Sequence, residues 1–235
     1  MTIAGLQKMT LLDYPGRVAC TVFLRGCNFR CPFCHNSGLL AEEPQEEISV
    51  EAFLTFLSRR QGLLDAVCIS GGEPTLSPEL PELVRRIKGL GFLVKLDTNG
   101  SRPDVLKALA AENLLDYVAM DVKNGPARYA QTIGVNRAPL EAVEESLRFL
   151  LDGGVPDYEL RTTVVEELHD EASIQDMGAW LERLGEGKKV KKMFIQPFQD
   201  RESVFMRGLH TPGTEQTARF ATFLQPYVEQ VGVRG

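Results

Sequence analysis

The sequence predicts an α/β fold in which six parallel strands form a partial (β/α)6 TIM-like barrel. Six short runs rich in apolar and β-branched residues are each too short for a helix and are mostly bounded by Gly, Asp, Asn or Pro. Helical patterns lie between these runs, and one helix between each pair of strands makes the strands parallel through right-handed crossovers. Six units are two short of a complete (β/α)8 barrel, so we expect an open barrel, with a doubly wound open sheet as the alternative.

The predicted strands, in chain order, are VACTVFL from Val18, AVCIS from Ala66, FLVKL from Phe92, YVAMDV from Tyr117, ELRTTVV from Glu159 and MFIQPF from Met193. Helices are predicted where apolar residues recur three or four positions apart. These segments are 50–57 behind Ser49 as N-cap, 80–87 ended by Gly89 and Gly91, 105–109, 140–150, 174–184, and a last helix over about 214–231. In either architecture the site is expected at the carboxyl ends of the strands, where the βα loops gather.

Length and composition predict one ordinary globular domain. A chain of 235 residues is expected to form a single domain, 1–235, with a core over about 15–200 and the C-terminal helix beyond it. By surface scaling it can bury about 70% of its extended surface, so a metal would serve chemistry rather than folding. The net charge of −6 argues against a nucleic-acid binder.

The chain contains neither an apolar run of about 18 residues nor a signal-peptide core at its N-terminus. We therefore expect a cytoplasmic protein with no membrane or nucleic-acid partner. The acidic stretch EEPQEE at 42–47 and the basic stretch KKVKK at 188–192 are predicted to be solvated loops.

Three of the five cysteines lie within eight positions, in the segment RGCNFRCPFCHN directly after the first predicted strand. Cys27, Cys31 and Cys34 have the spacing C-x3-C-x2-C. Three thiolates on one loop can each bind one iron of a [4Fe-4S] cubane, and the fourth iron is then open to a substrate or cofactor. The alternative is a zinc site with His35 or Cys68 as fourth ligand, although adjacent Cys34 and His35 are awkward partners in one tetrahedron.

The cysteine motif, with the aromatic Phe33 before its last cysteine, resembles that of the radical S-adenosylmethionine (SAM) enzymes. The motifs DYPG at 13–16, CHN at 34–36, GGEP at 71–74, DTNG at 97–100 and MDVK at 120–123 resemble those of one branch, the activases of glycyl radical enzymes. Within that branch, TLLDYPG and the late QPF are most similar to the anaerobic ribonucleoside-triphosphate reductase activating proteins. Cys20 and Cys68 lie in apolar runs and are predicted to be core residues.

The resemblance implies a radical SAM core and a role for each motif. The GGEP edge would hold the SAM amino group, and Lys123 would contact the SAM carboxylate. Asp97, Thr98, Asp121 and the Met120 carbonyl would bind a monovalent cation, K⁺ or Na⁺. The candidate site residues are Cys27, Cys31, Cys34 and Asp13 as catalytic, and Phe33, Gly71, Gly72, Glu73, Asp97, Thr98, Asp121, Lys123, Arg161 and Gln199 as cofactor-binding.

Several of these residues have ordinary structural interpretations as well. Asn99-Gly100 is a common turn pair, and Asp121 with Lys123 could form a simple ion pair. Arg161 lies within a strand and needs a partner, either SAM or an acidic side chain. The chain has Gln199 where the formate-lyase activases carry a histidine after Pro and an aromatic residue, and this glutamine could hydrogen-bond the ribose. His169 and His210 receive no role.

The implied function is reductive cleavage of SAM at the cluster and formation of a glycyl radical on a partner enzyme. The partner is expected to be anaerobic ribonucleoside-triphosphate reductase, with a flavodoxin- or ferredoxin-type reductant. Three alternatives stay open: activation of a pyruvate formate-lyase-type enzyme, radical SAM chemistry on a small molecule, and a non-catalytic zinc-binding module.

Overall fold

The computed structural model describes residues 1–40 and 47–234. The acidic stretch at 42–47 therefore lies outside the described residues except for Glu47. Eight strands form one sheet in the order of the sequence. They are Ile3–Thr10 (β1), Ala19–Leu24 (β2), Ala66–Gly71 (β3), Leu93–Thr98 (β4), Tyr117–Asp121 (β5), Tyr158–Val164 (β6), Val190–Pro197 (β7) and Val228–Val233 (β8).

Seven α-helices form between the strands in the described residues, and all except the short fourth one were predicted. They are Val50–Ser58 (α1), Leu80–Gly89 (α2), Pro103–Ala111 (α3), Tyr129–Thr132 (α4), Leu140–Leu151 (α5), Glu171–Gly185 (α6) and Thr214–Leu224 (α7). Ser49 caps α1 as predicted, because its hydroxyl accepts the backbone N–H of Ala52 at 3.1 Å. Strands β2 to β8 are all parallel, which confirms the α/β class and the parallel crossovers.

The two faces of the sheet carry different side chains. Along β2 and β3, Val22 and Ile69 belong to the large apolar core under the helices. The alternate residues Ala19 and Cys68 form a small separate cluster with Tyr117 inside the curved sheet. Successive strand residues point to opposite faces, so odd positions of β2 and β4 to β6 face the interior. The interior is polar towards the carboxyl ends of the strands.

The sheet is open, as the count of strand–helix units predicts. Within the described residues β1 pairs with β2 and β8 pairs with β7, and no pairing joins β1 to β8. Strand β1 is antiparallel to β2, and the sequence analysis missed it. The opening between β1 and β8 leaves a lateral mouth beside the carboxyl ends of the parallel strands.

The prediction of one helix over 214–231 is wrong in its second half. The helix ends at Leu224 and the chain continues as β8 from Val228. Pro226 explains the break, because proline lacks the N–H that would continue the helical hydrogen bonds. The following VEQVGV is rich in β-branched residues, which suit a strand.

The end of the chain closes part of the sheet interior. Arg234 follows β8 and donates two hydrogen bonds to Glu159 on β6, at 2.8 and 3.0 Å. Its guanidinium also stacks over the ring of Phe194, 3.3 Å from the centroid. Glu159 is almost fully buried, so this pair satisfies a charge that the strand carries into the interior.

The basic stretch 188–192 is only partly a loop. Lys188 and Lys189 precede β7, whereas 190–192 form its first residues. Among the described residues, no helix has the length and apolar character needed to cross a membrane.

Candidate active site

A cavity of about 410 Å³ opens at the carboxyl ends of the parallel strands. It lies where the sequence places the site, because the βα loops of a parallel barrel meet at that edge. Thirteen of the fourteen candidate residues line it, and Gln199 does not. The lining candidates are Asp13, Cys27, Cys31, Phe33, Cys34, Gly71, Gly72, Glu73, Asp97, Thr98, Asp121, Lys123 and Arg161.

The three motif cysteines lie on the loop between β2 and α1 and reach the cavity together. The loop is held in place by hydrogen bonds between backbone atoms, from Cys34 N to the Cys31 carbonyl at 3.1 Å and from Arg30 N to the Ile133 carbonyl at 2.8 Å. Burial raises the pKa of all three thiols, that of Cys31 to about 12, and the positive charge of Lys123 acts in the opposite direction on each. Iron binding would therefore replace three protons.

The other two cysteines do not reach this loop. Cys20 and Cys68 are fully buried within β2 and β3, and neither lines the cavity. Cys20 belongs to the large apolar core and Cys68 to the small cluster inside the sheet. In the part of the chain that the structure describes, no three His, Cys, Asp or Glu side chains converge on one metal ion. A cubane does not require such convergence, because each thiolate binds a different iron.

The two glycines of GGEP are required by the cysteine loop itself. A Cβ on Gly71 would lie 2.2 Å from the Leu24 carbonyl oxygen, and one on Gly72 would lie 1.9 Å from the Gly26 carbonyl oxygen. Gly71 also has φ +126°, a value that residues other than glycine rarely adopt. The two glycines therefore allow close packing against the backbone segment that leads to Cys27.

Glu73 connects three strand ends in a buried position. Its carboxylate accepts hydrogen bonds from the Thr75 amide at 3.2 Å, the Thr98 hydroxyl at 2.8 Å and the Asn99 amide at 2.6 Å. Its own N–H donates to the Gly26 carbonyl at 2.7 Å. Burial raises the pKa of Glu73, although these donors act against that rise. Glu73 thus holds the GGEP turn, the end of β4 and the cysteine loop together.

Five charged side chains form a continuous chain across β4, β5 and β6. Lys95 donates to Asp97 at 2.5 Å, and Arg161 lies between Asp97 at 3.3 Å and Asp121 at 3.0 Å. Lys123 donates to the other Asp121 oxygen at 3.0 Å. All four carboxylate oxygens therefore face a protein cation. The ion-pair interpretations of Arg161 and of Asp121 with Lys123 are both correct.

The charges of this chain do not cancel. Two carboxylates stand against three cations, which leaves a formal charge of +1 on these five side chains. Lys123 and Arg161 line the cavity, whereas Lys95 does not. Burial opposes ionisation of Asp121, but Arg161 and Lys123 outweigh it and lower the pKa of that carboxyl to about 2. Burial lowers the pKa of Lys123, but the Asp121 carboxylate outweighs burial and raises it. Lys123 and Arg161 therefore present charged N–H groups to the cavity, and such groups suit a carboxylate ligand.

A second cavity of about 660 Å³ adjoins the first and extends towards the mouth between β1 and β8. Asp13 lines both cavities, and its carboxylate accepts a hydrogen bond from the Thr21 hydroxyl at 2.5 Å. Gln199 lines only the second cavity, where it is exposed and accepts from Arg201 at 2.7 Å. Gln199 lies beyond the end of β7, apart from the other thirteen candidates, and its role as a ribose contact stays a prediction.

Two residues that the sequence analysis did not place in the cofactor site lie between the two cavities. Gln196 faces the interior of β7 and lines both cavities, as does His35. The His35 ring packs on Phe198 with centroids 5.6 Å apart, and its Nε2 atom is buried without a hydrogen-bond partner among the described residues. Gln196 could have been identified from the sequence, because side chains alternate between the two faces of a strand and every second residue of the last predicted strand faces the interior.

His169, which receives no role in the sequence analysis, is buried. Its Nδ1 accepts the Val165 N–H at 3.1 Å, so its Nε2–H donates to the Lys123 carbonyl at 2.8 Å. Its ring also meets the edge of Phe33, with centroids 6.4 Å apart. His169 thus joins the cysteine loop to the backbone of Lys123. His210 is exposed and pairs with Glu167, consistent with no role in the cavity.

The residues of the cavity fit an iron–sulfur cluster and SAM. Three thiols on one loop supply the protein ligands of a cubane with one open iron. The charged N–H groups of Lys123 and Arg161 face the same space and suit the carboxylate of an amino acid moiety. The buried, unpartnered Nε2 of His35 offers a further polar contact at the other side.

The profile of the radical SAM superfamily matches residues 21–177, and the chain belongs to that superfamily. It is therefore a radical SAM enzyme, and the family implies a [4Fe-4S] cluster and SAM as cofactors. A protein of Methanocaldococcus jannaschii named as a candidate glycyl-radical enzyme activating enzyme is 30% identical over 99% of this chain and 95% of its own length.

Two further relatives are similar over smaller shares. The pyruvate formate-lyase-activating enzyme of Clostridium pasteurianum is 31% identical over 52% of this chain and 52% of its own. A 7-carboxy-7-deazaguanine synthase of Methanopyrus kandleri is 28% identical over 78% of this chain and 75% of its own.

The crystal structure of Streptococcus suis SuiB bound to its precursor peptide SuiA shares the fold, with a TM-score of 0.68 at 12% identity. The match covers 92% of this chain and 48% of SuiB.

Proposed function

We propose that this enzyme generates a glycyl radical on a partner enzyme. The observation that carries the proposal is the assembly of twelve motif residues, from five separate segments, around one cavity beside an open sheet edge. The relative similar over nearly the full chain supports the same class. When bound, the cluster and SAM supply reductive cleavage of the sulfonium and a 5′-deoxyadenosyl radical, which takes a hydrogen atom from a glycine Cα.

The protein contributes orientation, charge and the exclusion of water. Cys27, Cys31 and Cys34 hold the cluster. Lys123, with its free N–H bonds directed by the Asp121 contact, holds the SAM carboxylate. Glu73 and the two glycines before it fix the strand edge that faces the amino group. No general base or nucleophile is required from the chain.

The mouth between β1 and β8 supports a protein substrate. Leu11 and Leu12 lie on its β1 side and are 68% and 89% exposed, and Val233 on its β8 side is 49% exposed. Exposed apolar side chains at the rim of a cavity are typical of a surface that meets another protein. Glycine suits the reaction because it has no side chain to keep its Cα from the adenosyl carbon.

Anaerobic ribonucleoside-triphosphate reductase is the partner we propose, on the resemblance of TLLDYPG and QPF. A formate-lyase-type enzyme is the alternative within the class, and the partial similarity to the Clostridium activase favours it. The position of Gln199 away from the main cavity leaves His35 and Gln196 as the nearer polar contacts for the ribose.

Other elements of the proposal have separate support. A flavodoxin- or ferredoxin-type protein would supply the electron, as the resemblance implies. The five free cysteines fit a reducing cytoplasm. The monovalent cation has the weakest support, because Lys95, Arg161 and Lys123 already face both carboxylates. The chain is proposed to be one domain.

The test is activation of the reductase from the same source. Reduced enzyme, SAM and the reductase should give a doublet glycyl-radical signal in electron paramagnetic resonance (EPR), and Cys31→Ala should abolish it. A signal obtained with a formate-lyase-type protein and not with the reductase would keep the reaction and change the partner.

The second candidate function is radical chemistry on a small molecule, favoured by the similarity to a deazaguanine synthase. This function predicts release of 5′-deoxyadenosine that depends on a metabolite and needs no protein partner. Release with no radical on any glycyl radical enzyme would support it and overturn the activase proposal.

A further inference from the structure

The Asn99 side chain of the DTNG turn is held in one orientation beside the cysteine loop. Its Oδ1 accepts the backbone N–H of Ser101 at 2.9 Å, so its Nδ2 must face the other way. There Nδ2 donates to the Asn28 side-chain oxygen at 2.9 Å and lies 3.9 Å from the Cys27 sulfur. Asn28 in turn donates to the Ser101 hydroxyl at 2.9 Å.

The backbone of Asn99 is tied as firmly as its side chain. Its N–H donates to the buried carboxylate of Glu73 at 2.6 Å, and Asn99 itself is only 5% exposed. The amide group cannot turn away from Cys27 without breaking its hydrogen bonds with the Ser101 amide and the Asn28 side chain. Two N–H groups reach the Cys27 sulfur from different parts of the fold, the Phe29 amide at 3.4 Å and the Asn99 side chain.

We propose that Asn99 is a positioning residue that raises the reduction potential of the cluster through the N–H it directs at the Cys27 sulfur. This inference rests on the proposed function, since it requires that Cys27 binds the cluster. Nothing in the sequence motifs assigns this role, because Asn99-Gly100 has the pattern of an ordinary turn.

The physical reason is electrostatic. Reduction adds one electron to the cluster and makes its sulfur atoms more negative, so a hydrogen bond to a ligand sulfur stabilises the reduced state more than the oxidised state. The proton stays on the Asn99 nitrogen throughout, and the electron comes from the external reductant. Removing the N–H should therefore make the cluster harder to reduce.

Asn124 offers a matched control elsewhere in the fold. It also precedes a glycine at the end of a parallel strand, it is fully buried, and its Nδ2 donates to the Thr132 hydroxyl and the Leu168 carbonyl, each at 2.9 Å. Its hydrogen bonds include none to a cysteine. Asn124→Ala should reproduce the structural cost of losing a buried asparagine amide without changing the donors at Cys27.

The experiment is a potentiometric titration of reconstituted protein, with the reduced cluster measured by EPR without SAM. In Asn99→Ala and the near-isosteric, uncharged Asn99→Leu, the ratio of reduced to oxidised cluster at a fixed solution potential should fall about tenfold, a midpoint shift of about −59 mV for a one-electron couple. Asn124→Ala should titrate as the wild type does. An unchanged midpoint in both Asn99 variants, at full iron content, would overturn the inference.

A measurement on the wild type decides the matter if the Asn99 variants lose the cluster. Protein labelled with ¹⁵N in asparagine side chains should show a weak ¹⁵N hyperfine coupling in the reduced cluster, and absence of that coupling would also refute the inference. Failure of the proposed function is seen separately, as a partner enzyme that carries no glycyl radical, because the midpoint potential is measured without SAM or a partner.

Discussion

Replacing Lys123 should weaken SAM binding more than it destabilises the fold. Its ammonium group lies at the cavity wall, 3.0 Å from Asp121, with its side chain 15% exposed. Lys123→Met keeps most of the length of the side chain and removes the charge. Because Arg161 still donates to Asp121 at 3.0 Å, the variant leaves no buried carboxylate without a cation.

The expected loss follows from one charged hydrogen bond, worth about 1.5 to 3 kcal/mol. The dissociation constant for SAM should therefore rise about 10- to 150-fold. Binding can be measured on the reduced cluster through the change in its EPR spectrum as SAM is added, with iron content as the check on loading.

The matched control is Lys88→Met. Lys88 pairs with Asp116 at 2.7 Å in a partly buried ion pair that lies outside both cavities. This variant should bind SAM as the wild type does. Equal SAM affinity in wild type and Lys123→Met would refute the assignment of Lys123 as the group that binds the SAM carboxylate.

Three further predictions concern the loop and its supports. Cys27→Ala should abolish the iron–sulfur absorption while Cys68→Ala keeps it, and the reverse result would show that the ligand set is wrong. Gly72→Ala places a methyl group 1.9 Å from a backbone oxygen of the cysteine loop, so iron loading should fall sharply, whereas Gly89→Ala, with open space around it, should load normally. Burial lowers the pKa of His169 below its ordinary 6.5, so its neutral ring stabilises the fold above about pH 6.5 and that contribution is lost as the pH falls. The decrease in urea midpoint between about pH 7.5 and 5.5 should be smaller in His169→Gln, and an equal decrease would contradict this.

The sequence predicts those parts of the fold whose signals are local. The apolar run at Val18 and the N-cap at Ser49 each depend on neighbours in the chain, and both are confirmed. Strand β1 was missed because its half-exposed residues show no strong alternation and gain order from pairing with β2. The C-terminal strand is not evident from the sequence, because apolar residues from Phe220 to Val231 recur at helical spacing, and only Pro226 signals that the helix ends.

The candidate site was predicted well where motifs follow strands directly, as Asp97 and Asp121 do. The partners of those residues could not be read from the sequence. Lys95 lies in an apolar run, and its pairing with Asp97 depends on both side chains facing the interior. His169 lies far from the motifs along the chain, and only the packing of α6 brings it to Lys123 and Phe33.

The most direct test of the proposed function is isotope transfer from the partner glycine. Anaerobic ribonucleoside-triphosphate reductase carrying deuterated glycine would be incubated with the reduced enzyme and SAM, and the 5′-deoxyadenosine analysed by mass spectrometry. One deuterium in the nucleoside for each glycyl radical formed is the predicted result. Deoxyadenosine without deuterium, together with a reductase that carries no radical, would contradict the account.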